Sequence, residues 1–265
     1  MPFPDDAVAE LEALVRALRK DPLPLLLLSP SHFALTACAD MMAVVRRKLR
    51  NGVGLAVIDR VPVERFSADE NRALYWLLGG LLGRLVAQKW DGTMSYDVRD
   101  TGKALEYGVR RSVTSLELQF HTDAPWLTLP PELVGLLCLS PAREGGVSRF
   151  LSLVTVHNEL RPVFQSDGRD VLARYNEALI LNGEALTGVS LDPEGRQALA
   201  AMRAIVESPE SAVELTIEKG QIQYLNNHHF AHSRTAFKDA EEPHLKRHLI
   251  RLWNRDAGRQ TFHGR

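Results

Sequence analysis

The stretch LQFHTDAPW, residues 118–126, sets a histidine and an aspartate two positions apart in a segment of alternating character. Gln119, His121 and Asp123 fall on one parity, Leu118 and Phe120 on the other. On a β-strand, side chains at i and i+2 point to the same face, so His121 and Asp123 would stand side by side. Such a pair fits a hydrogen-bonded polar couple on an open sheet face as well as a metal site. A second segment, YLNNHHFAHSRTAF at 224–237, brings three more histidines to the end of a strand-like stretch.

Two imidazoles and one carboxylate on one face of a metal form the facial triad of non-haem Fe(II) oxygenases, with positions left open for other ligands. His228, His229 and His232 compete for the third place, and spacing alone does not choose among them. The segment RHLIRLW adds Arg247 and Arg251, four apart and therefore on one face of a strand. A planar guanidinium fork binds carboxylates bidentately, so two of them beside a metal imply anionic ligands. A pair of surface arginines fits the spacing equally well.

The elements that must position these residues are legible in outline. Val8, Leu11, Leu14, Val15 and Leu18 at helical spacing predict an amphipathic helix over 5–20. A second helix is expected over 38–51, before the strand-like GLAVIDRVP. Ser67-Ala-Asp-Glu70 is a capping-box pattern that predicts a long helix from about 68 to 88. PLPLLLLSP at 22–30 is expected as a buried strand or loop. Strands follow over 93–125 and 133–150, then helical stretches near 154–161 and at 192–206. AVELTIEKGQIQYLNN at 212–227 predicts a hairpin turning at Lys219-Gly220, and a last strand runs over 246–256.

Helices first and strands afterwards point to an α+β chain with a central antiparallel sandwich or jelly roll. The 265 residues are expected to form one domain, helix-rich over 1–90 with the β core over about 91–256. Net charge is −1, and no basic face suggests nucleic acid. No apolar run is long enough to span a bilayer, and acids stand near the N-terminus where a signal peptide needs positive charge. Cys38 and Cys138, in apolar contexts, read as buried free thiols, and the expected location is cytoplasmic.

Taken jointly, FHTDAPW, LLCLSPAREGGVSRF, NNHHFAHSRTAF and RHLIRLW resemble the motifs of the taurine dioxygenase / 2,4-D dioxygenase family of Fe(II)/2-oxoglutarate oxygenases, in order over roughly 110–255. The resemblance implies a double-stranded β-helix (jelly-roll) core with flanking helices. It implies His121, Asp123 and His232 as iron ligands, His232 because it precedes SRTAF where the family has His-x-Arg-x-x-Phe. Arg247 matches the arginine that grips the far carboxylate of 2-oxoglutarate, and Ser148 matches a threonine that bonds the same carboxylate. Arg251 is expected at the anionic end of the substrate, and Glu117 opposite a substrate amine. Trp126 is expected to pack in the core, and TGKALEYGVRR at 101–111 could form a lid. The implied reaction uses Fe(II), 2-oxoglutarate and O2 to hydroxylate an unactivated C–H of a small carboxylate- or amino-acid-like molecule. Succinate and CO2 are released, and a homo-oligomer is a family-level expectation. The rival reading is a jelly-roll metal protein that acts as a non-oxidative hydrolase or isomerase, or only binds.

Overall fold

Three helices open the chain: α1 (Asp5–Lys20), α2 (Thr36–Asn51) and α3 (Ala68–Leu82). They belong to a computed structural model that describes residues 1–104, 109–153, 164–166 and 171–264. In α1 the apolar stripe buries Ala7, Leu11, Leu14 and Val15, as a 3.6-residue period requires. α3 starts on the expected capping box: the Glu70 amide donates to the Ser67 hydroxyl, and the Ser67 amide donates to the Glu70 carboxylate.

That helix ends six residues before the predicted 88, at Leu82. The tail RLVAQ is taken up by the sheet instead. β2 (Arg84–Leu85) pairs antiparallel with Asn254 and Arg255, and the Val86 amide donates to the Trp253 carbonyl. Sheet pairing outweighs the helical continuation, and it brings Gln88 alongside the arginine strand. The run PLPLLLL is not a strand: Leu25–Leu27 form a 3-10 turn between prolines, with Leu26 and Leu27 exposed and Leu28 buried in the core.

Two antiparallel sheets form the centre. The larger contains β1 (Leu55–Ile58), β11 (Ile222–Asn226), β5 (Leu133–Ser140), β14 (His248–Arg255) and β2 in that order, and β3 (Tyr96–Val98) also pairs with β14. The smaller has the order β10 (Ala212–Leu215), β7 (Ser148–Ser152), β12 (Phe230–Arg234), β4 (Leu118–His121). The predicted 212–227 hairpin is therefore not one. Gly220 does turn the chain, at φ 82°, but β10 and β11 belong to different sheets. Two ribbons complete the strands: β6 (Glu144–Gly145) with β13 (Phe237–Lys238), and β8 (Phe164–Ser166) with β9 (Val171–Ala173).

Alternation along each strand sorts side chains between layers. Ile58, Leu137, Tyr224, Ile250 and Leu252 face outward from the larger sheet into the core shared with α1–α3. Helix α5 (Pro193–Val206) puts Met202 and Val206 against Phe120, Leu151 and Ala231 of the smaller sheet. Val134, Phe150, Leu225, Phe230 and Trp253 pack between the sheets. Each fully buried side chain of this kind contributes about 1.5–3 kcal/mol, so these three layers hold the frame on which the polar site is mounted. A helix not foreseen from the sequence, α4 (Glu177–Thr187), starts on an Asn176 cap and buries none of its residues. The helix expected near 154–161 lies outside the described residues, as does part of the expected lid, 105–108. Among the described residues, no helix is long and apolar enough to cross a membrane. Cys38 and Cys138 are buried free thiols, each pushed up to about 12 by burial.

Asp97 ties α3 to the arginine strand, accepting from Arg72 at 2.7 Å and pairing with the His248 imidazole at 2.7 Å. Burial alone would raise this carboxyl, but His248 and Arg72 hold it at about 2, below the ordinary 3.8. The folded chain thus holds this proton less tightly than the unfolded one. The stabilisation is complete above the unfolded value and is lost as pH falls through the folded one. Thermal melts between about pH 5 and pH 2 are expected to show an acid-side loss that is smaller in Asp97→Asn. Identical profiles for parent and variant would remove Asp97 from the account.

Candidate active site

Strand β12, central in the smaller sheet, carries His232 opposite His121 on β4 and opposite Phe150 on β7. The two imidazole centroids are 4.4 Å apart. The next β12–β4 pair joins Arg234 to Leu118, so three steps on β4 match two on β12. This β-bulge reverses the parity on which the sequence reading relied. Leu118 lines a cavity, His121 is buried against His232, Phe120 packs outward with the α5 core, and Gln119 is exposed.

The strand ends at His121, so Asp123 does not share it. Asn227 holds Asp123 instead. The Asp123 amide donates to the Asn227 side-chain oxygen at 2.7 Å, and the Asn227 amide group donates back to the Asp123 carbonyl at 3.0 Å. One side chain thus mimics a strand partner. Ala124 then turns the chain at φ 51°, the left-handed region, although it is not glycine; strain of this kind gathers at functional sites.

Among the described residues, His121, Asp123 and His232 are the group whose possible ligand atoms all lie within 4.8 Å of one another, and all three are buried. His121 Nδ1 contacts the Gln119 carbonyl at 2.8 Å, which leaves Nε2 for a metal. Nε2 lies 3.7 Å from an Asp123 oxygen. Burial, reinforced by His121, pushes the His232 imidazole down to about 3, so it stays neutral with a lone pair to give. Its buried Nδ1 has no hydrogen-bond partner. Burial alone would raise the Asp123 carboxyl, but Arg251 and the hydrogen bond with His121 hold it well below the usual carboxylate range. Two neutral imidazoles and an ionised carboxylate, with a buried nitrogen unsatisfied, are the donor set a divalent transition metal takes. His228 and His229 instead sit in the β11–β12 turn, where their carbonyls accept from Ala173 and Leu153.

Arg251 lines the cavity, as expected, and also touches Asp123. Its Nη1 donates to both Asp123 oxygens at 3.2 Å, and its Nε donates to the Gln88 side chain at 2.8 Å. The guanidinium lies 5.0 Å from the ring centroids of Tyr96 and Trp253. Trp253 Nε1 adds a third hydrogen bond to Asp123, at 2.8 Å. The guanidinium expected at the substrate's anionic end thus also orients the Asp123 carboxylate. Gln88, Asn227 and Trp253 were all missed in the sequence. Only Trp253 left a signal, since it shares the odd parity of Arg251 on β14.

A cavity opens from His232 and Arg251 to Arg247 and Ser148, lined also by Leu118 and Phe150. Arg247 is 3% exposed, its Nη1 has no hydrogen-bond partner, and burial pushes it down to about 10, still cationic at neutral pH. Gly146, at φ 66°, makes room: a Cβ there would lie 3.3 Å from Arg247 Nε. Gly145 is tighter, since its Cβ would meet the Ala236 carbonyl oxygen at 2.3 Å. The Gly-Gly turn is therefore needed to seat β6 against β13 beside this arginine.

One further expectation loses its basis and another fails. Glu117 is exposed, and the bulge removes the shared parity that linked it to the ligands, so the basis for a substrate contact is gone. Trp126 is 58% exposed rather than in the core, because the Ala124 turn swings it outward.

Comparison with known proteins agrees with this geometry. The family model described as taurine catabolism dioxygenase TauD, TfdA family matches residues 28–182 and 175–253. The chain is 27% identical over 262 residues to FR-33289 synthase of Streptomyces rubellomurinus, covering 85% of this chain and 76% of that protein. A taurine hydroxylase-like protein, SAT17 of Stachybotrys chartarum, is 22% identical over 287 residues, covering 94% of this chain and 73% of its own. Among solved structures, asparagine oxygenase with Fe(II), hydroxyasparagine and succinate superposes with a TM-score of 0.72 at 16% identity, over 98% of this chain and 93% of that one. The non-haem iron oxygenase OrfP with Fe and alpha-ketoglutaric acid gives 0.68 at 18%, over 96% and 93%. With the family model spanning most of its length, the chain belongs to the TauD/TfdA family and is a dioxygenase.

Proposed function

We propose that His121, Asp123 and His232 bind Fe(II), and that 2-oxoglutarate lies between the metal and Arg247 with Ser148. The observation that carries this reading is the unpaired, buried Arg247 guanidinium in the cavity that begins at His232. The chain is an Fe(II)- and 2-oxoglutarate-dependent dioxygenase that hydroxylates a C–H bond of a small molecule. An amino-acid-like or carboxylate-bearing substrate is favoured by analogy with the structural relatives, which hold hydroxyasparagine or hydroxyarginine. The facing antiparallel sheets support a double-stranded β-helix within one domain.

When bound, the iron and 2-oxoglutarate supply the oxidising chemistry that turns R–H and O2 into R–OH, succinate and CO2. The chain's residues prepare for it. Arg251 and Trp253 fix the Asp123 carboxylate so that its oxygens keep one orientation. Asn227 fixes the Asp123 backbone. Arg247 neutralises the far carboxylate, and Phe150, Leu118 and Leu136 exclude water from the cavity between. A hydrolase or isomerase built on the same triad has no use for an unpaired arginine facing Ser148.

Anaerobic addition of Fe(II) and then 2-oxoglutarate is expected to give a weak visible absorption band that neither produces alone. Prime substrates are then found by screening small acids for substrate-stimulated succinate formation. A protein that binds Fe(II) but gives no band and no succinate with any acid would return the reading to non-oxidative metal chemistry.

A further inference from the structure

The cross-strand ladder that sets His232 beside His121 sets a second arginine beside Ser148. Arg234 lies two residues past His232 on β12 and is paired directly with Ser148 of β7. Residues opposed in this way share a sheet face, with Cβ atoms about 4.5–5.5 Å apart. Arg234 of β12 and Arg247, the residue ahead of β14, also meet over one ring, 4.7 and 5.1 Å from the centroid of Phe237. Both line the cavity that holds Ser148 and His232.

Two guanidiniums 5% and 3% exposed are costly to bury unless an anion meets them. Among the described residues, no carboxylate lies within ion-pair distance of either. Arg234 Nη2 donates to the carbonyls of Thr114 and Leu116, which fixes the side chain in place, while its Nε has no partner. A guanidinium does not give up its proton at neutral pH, so both groups are cationic. The cluster is assembled and positive, with Asp100 and Asp239 near it but, among the described residues, no carboxylate in direct ion-pair contact.

We infer that Arg234 joins Arg247 and Ser148 in binding the far carboxylate of 2-oxoglutarate, so that this end of the co-substrate is held by two guanidiniums, one on β12 and one on the segment that leads into β14. A carboxylate has two acceptor oxygens with about four lone-pair sites, enough for both arginines and the Ser148 hydroxyl. The inference rests on the 2-oxoglutarate reading above and adds a residue to it. It also assigns the two-arginine cluster to selection of dicarboxylate over monocarboxylate 2-oxo acids.

The test is calorimetric titration of 2-oxoglutarate into Mn(II)-loaded protein, with 2-oxovalerate, which lacks the far carboxylate, as the comparison ligand. Arg234→Gln is expected to weaken 2-oxoglutarate binding about ten- to a hundredfold and to leave 2-oxovalerate unchanged. Arg234→Lys, which keeps the charge, is expected to fall between parent and Arg234→Gln. Unchanged 2-oxoglutarate affinity in a folded Arg234→Gln protein, with loss in Arg247→Gln, overturns the role of Arg234 alone. Failure of the parent to bind 2-oxoglutarate overturns the underlying reading and this inference with it. A crystal structure of the parent with Mn(II) and 2-oxoglutarate decides the point without any variant. A far-carboxylate oxygen within hydrogen-bond reach of Arg234 supports it, and a carboxylate held by Arg247 and Ser148 without Arg234 overturns it.

Discussion

Asp123→Ala is expected to abolish turnover and to weaken Fe(II) binding steeply, because it removes the anionic member of the metal-binding group. The same substitution strips Arg251 of both hydrogen-bond acceptors on that carboxylate and Trp253 of its own. Breaking a buried ion pair from one side costs about 3–5 kcal/mol, since the remaining charge stays desolvated. The metal-free variant is therefore expected to melt well below the metal-free parent. Adding Arg251→Leu should recover much of that stability without recovering metal binding, because an apolar replacement of the whole pair is often neutral. Equilibrium dialysis with Mn(II) and thermal melts of the three proteins separate the two effects. Parent-like metal affinity in Asp123→Ala would sink the triad.

Arg247→Ala is expected to act on the co-substrate and leave the metal site intact. Truncating one side of a charge-assisted pair in a buried site costs about 2–5 kcal/mol, or roughly thirty- to several-thousand-fold in affinity. The apparent requirement for 2-oxoglutarate should rise accordingly, and the visible band should fade at fixed 2-oxoglutarate while Fe(II) binding persists. Arg251→Ala should show the opposite pattern, with disturbed metal binding, because its guanidinium rests on Asp123 rather than in the far end of the cavity. Loss of 2-oxoglutarate binding in Arg251→Ala but not in Arg247→Ala would reverse the two assignments.

The contrast between these arginines marks how far the sequence reaches. Both do line the same cavity, but Arg247 stands one residue ahead of β14 and a register shift falls between His248 and Leu249, so simple alternation along one strand does not connect them. What each guanidinium touches depends on residues far away in the chain, such as Gln88 and Asp123, and no local pattern encodes that. His121 was found for a partly wrong reason. Parity with Asp123 was assumed along one strand, whereas a bulge and the Asn227 clamp produce the convergence. Helices α1–α3 were legible from periodicity and capping, since those signals are short-range. The end of α3 and the fate of 212–227 were not, because both turn on pairing with strands about sixty or more residues away in the chain.

The two histidines of the triad, His121 and His232, belong to the smaller sheet, while Arg247 and Arg251 lead and lie on β14 of the larger one. A molecule reaching from the triad to Arg247 would therefore bridge two separately hydrogen-bonded sheets whose mutual contact here is side-chain packing. Such a bridge acts as a mechanical tie. It resists the sliding and splaying of one layer over the other, and it stabilises the closed sandwich by mass action in proportion to its affinity. The loaded enzyme should then show slower amide exchange in β7, β12 and β14 together, as a stiffened unit, and not only at the residues the co-substrate touches.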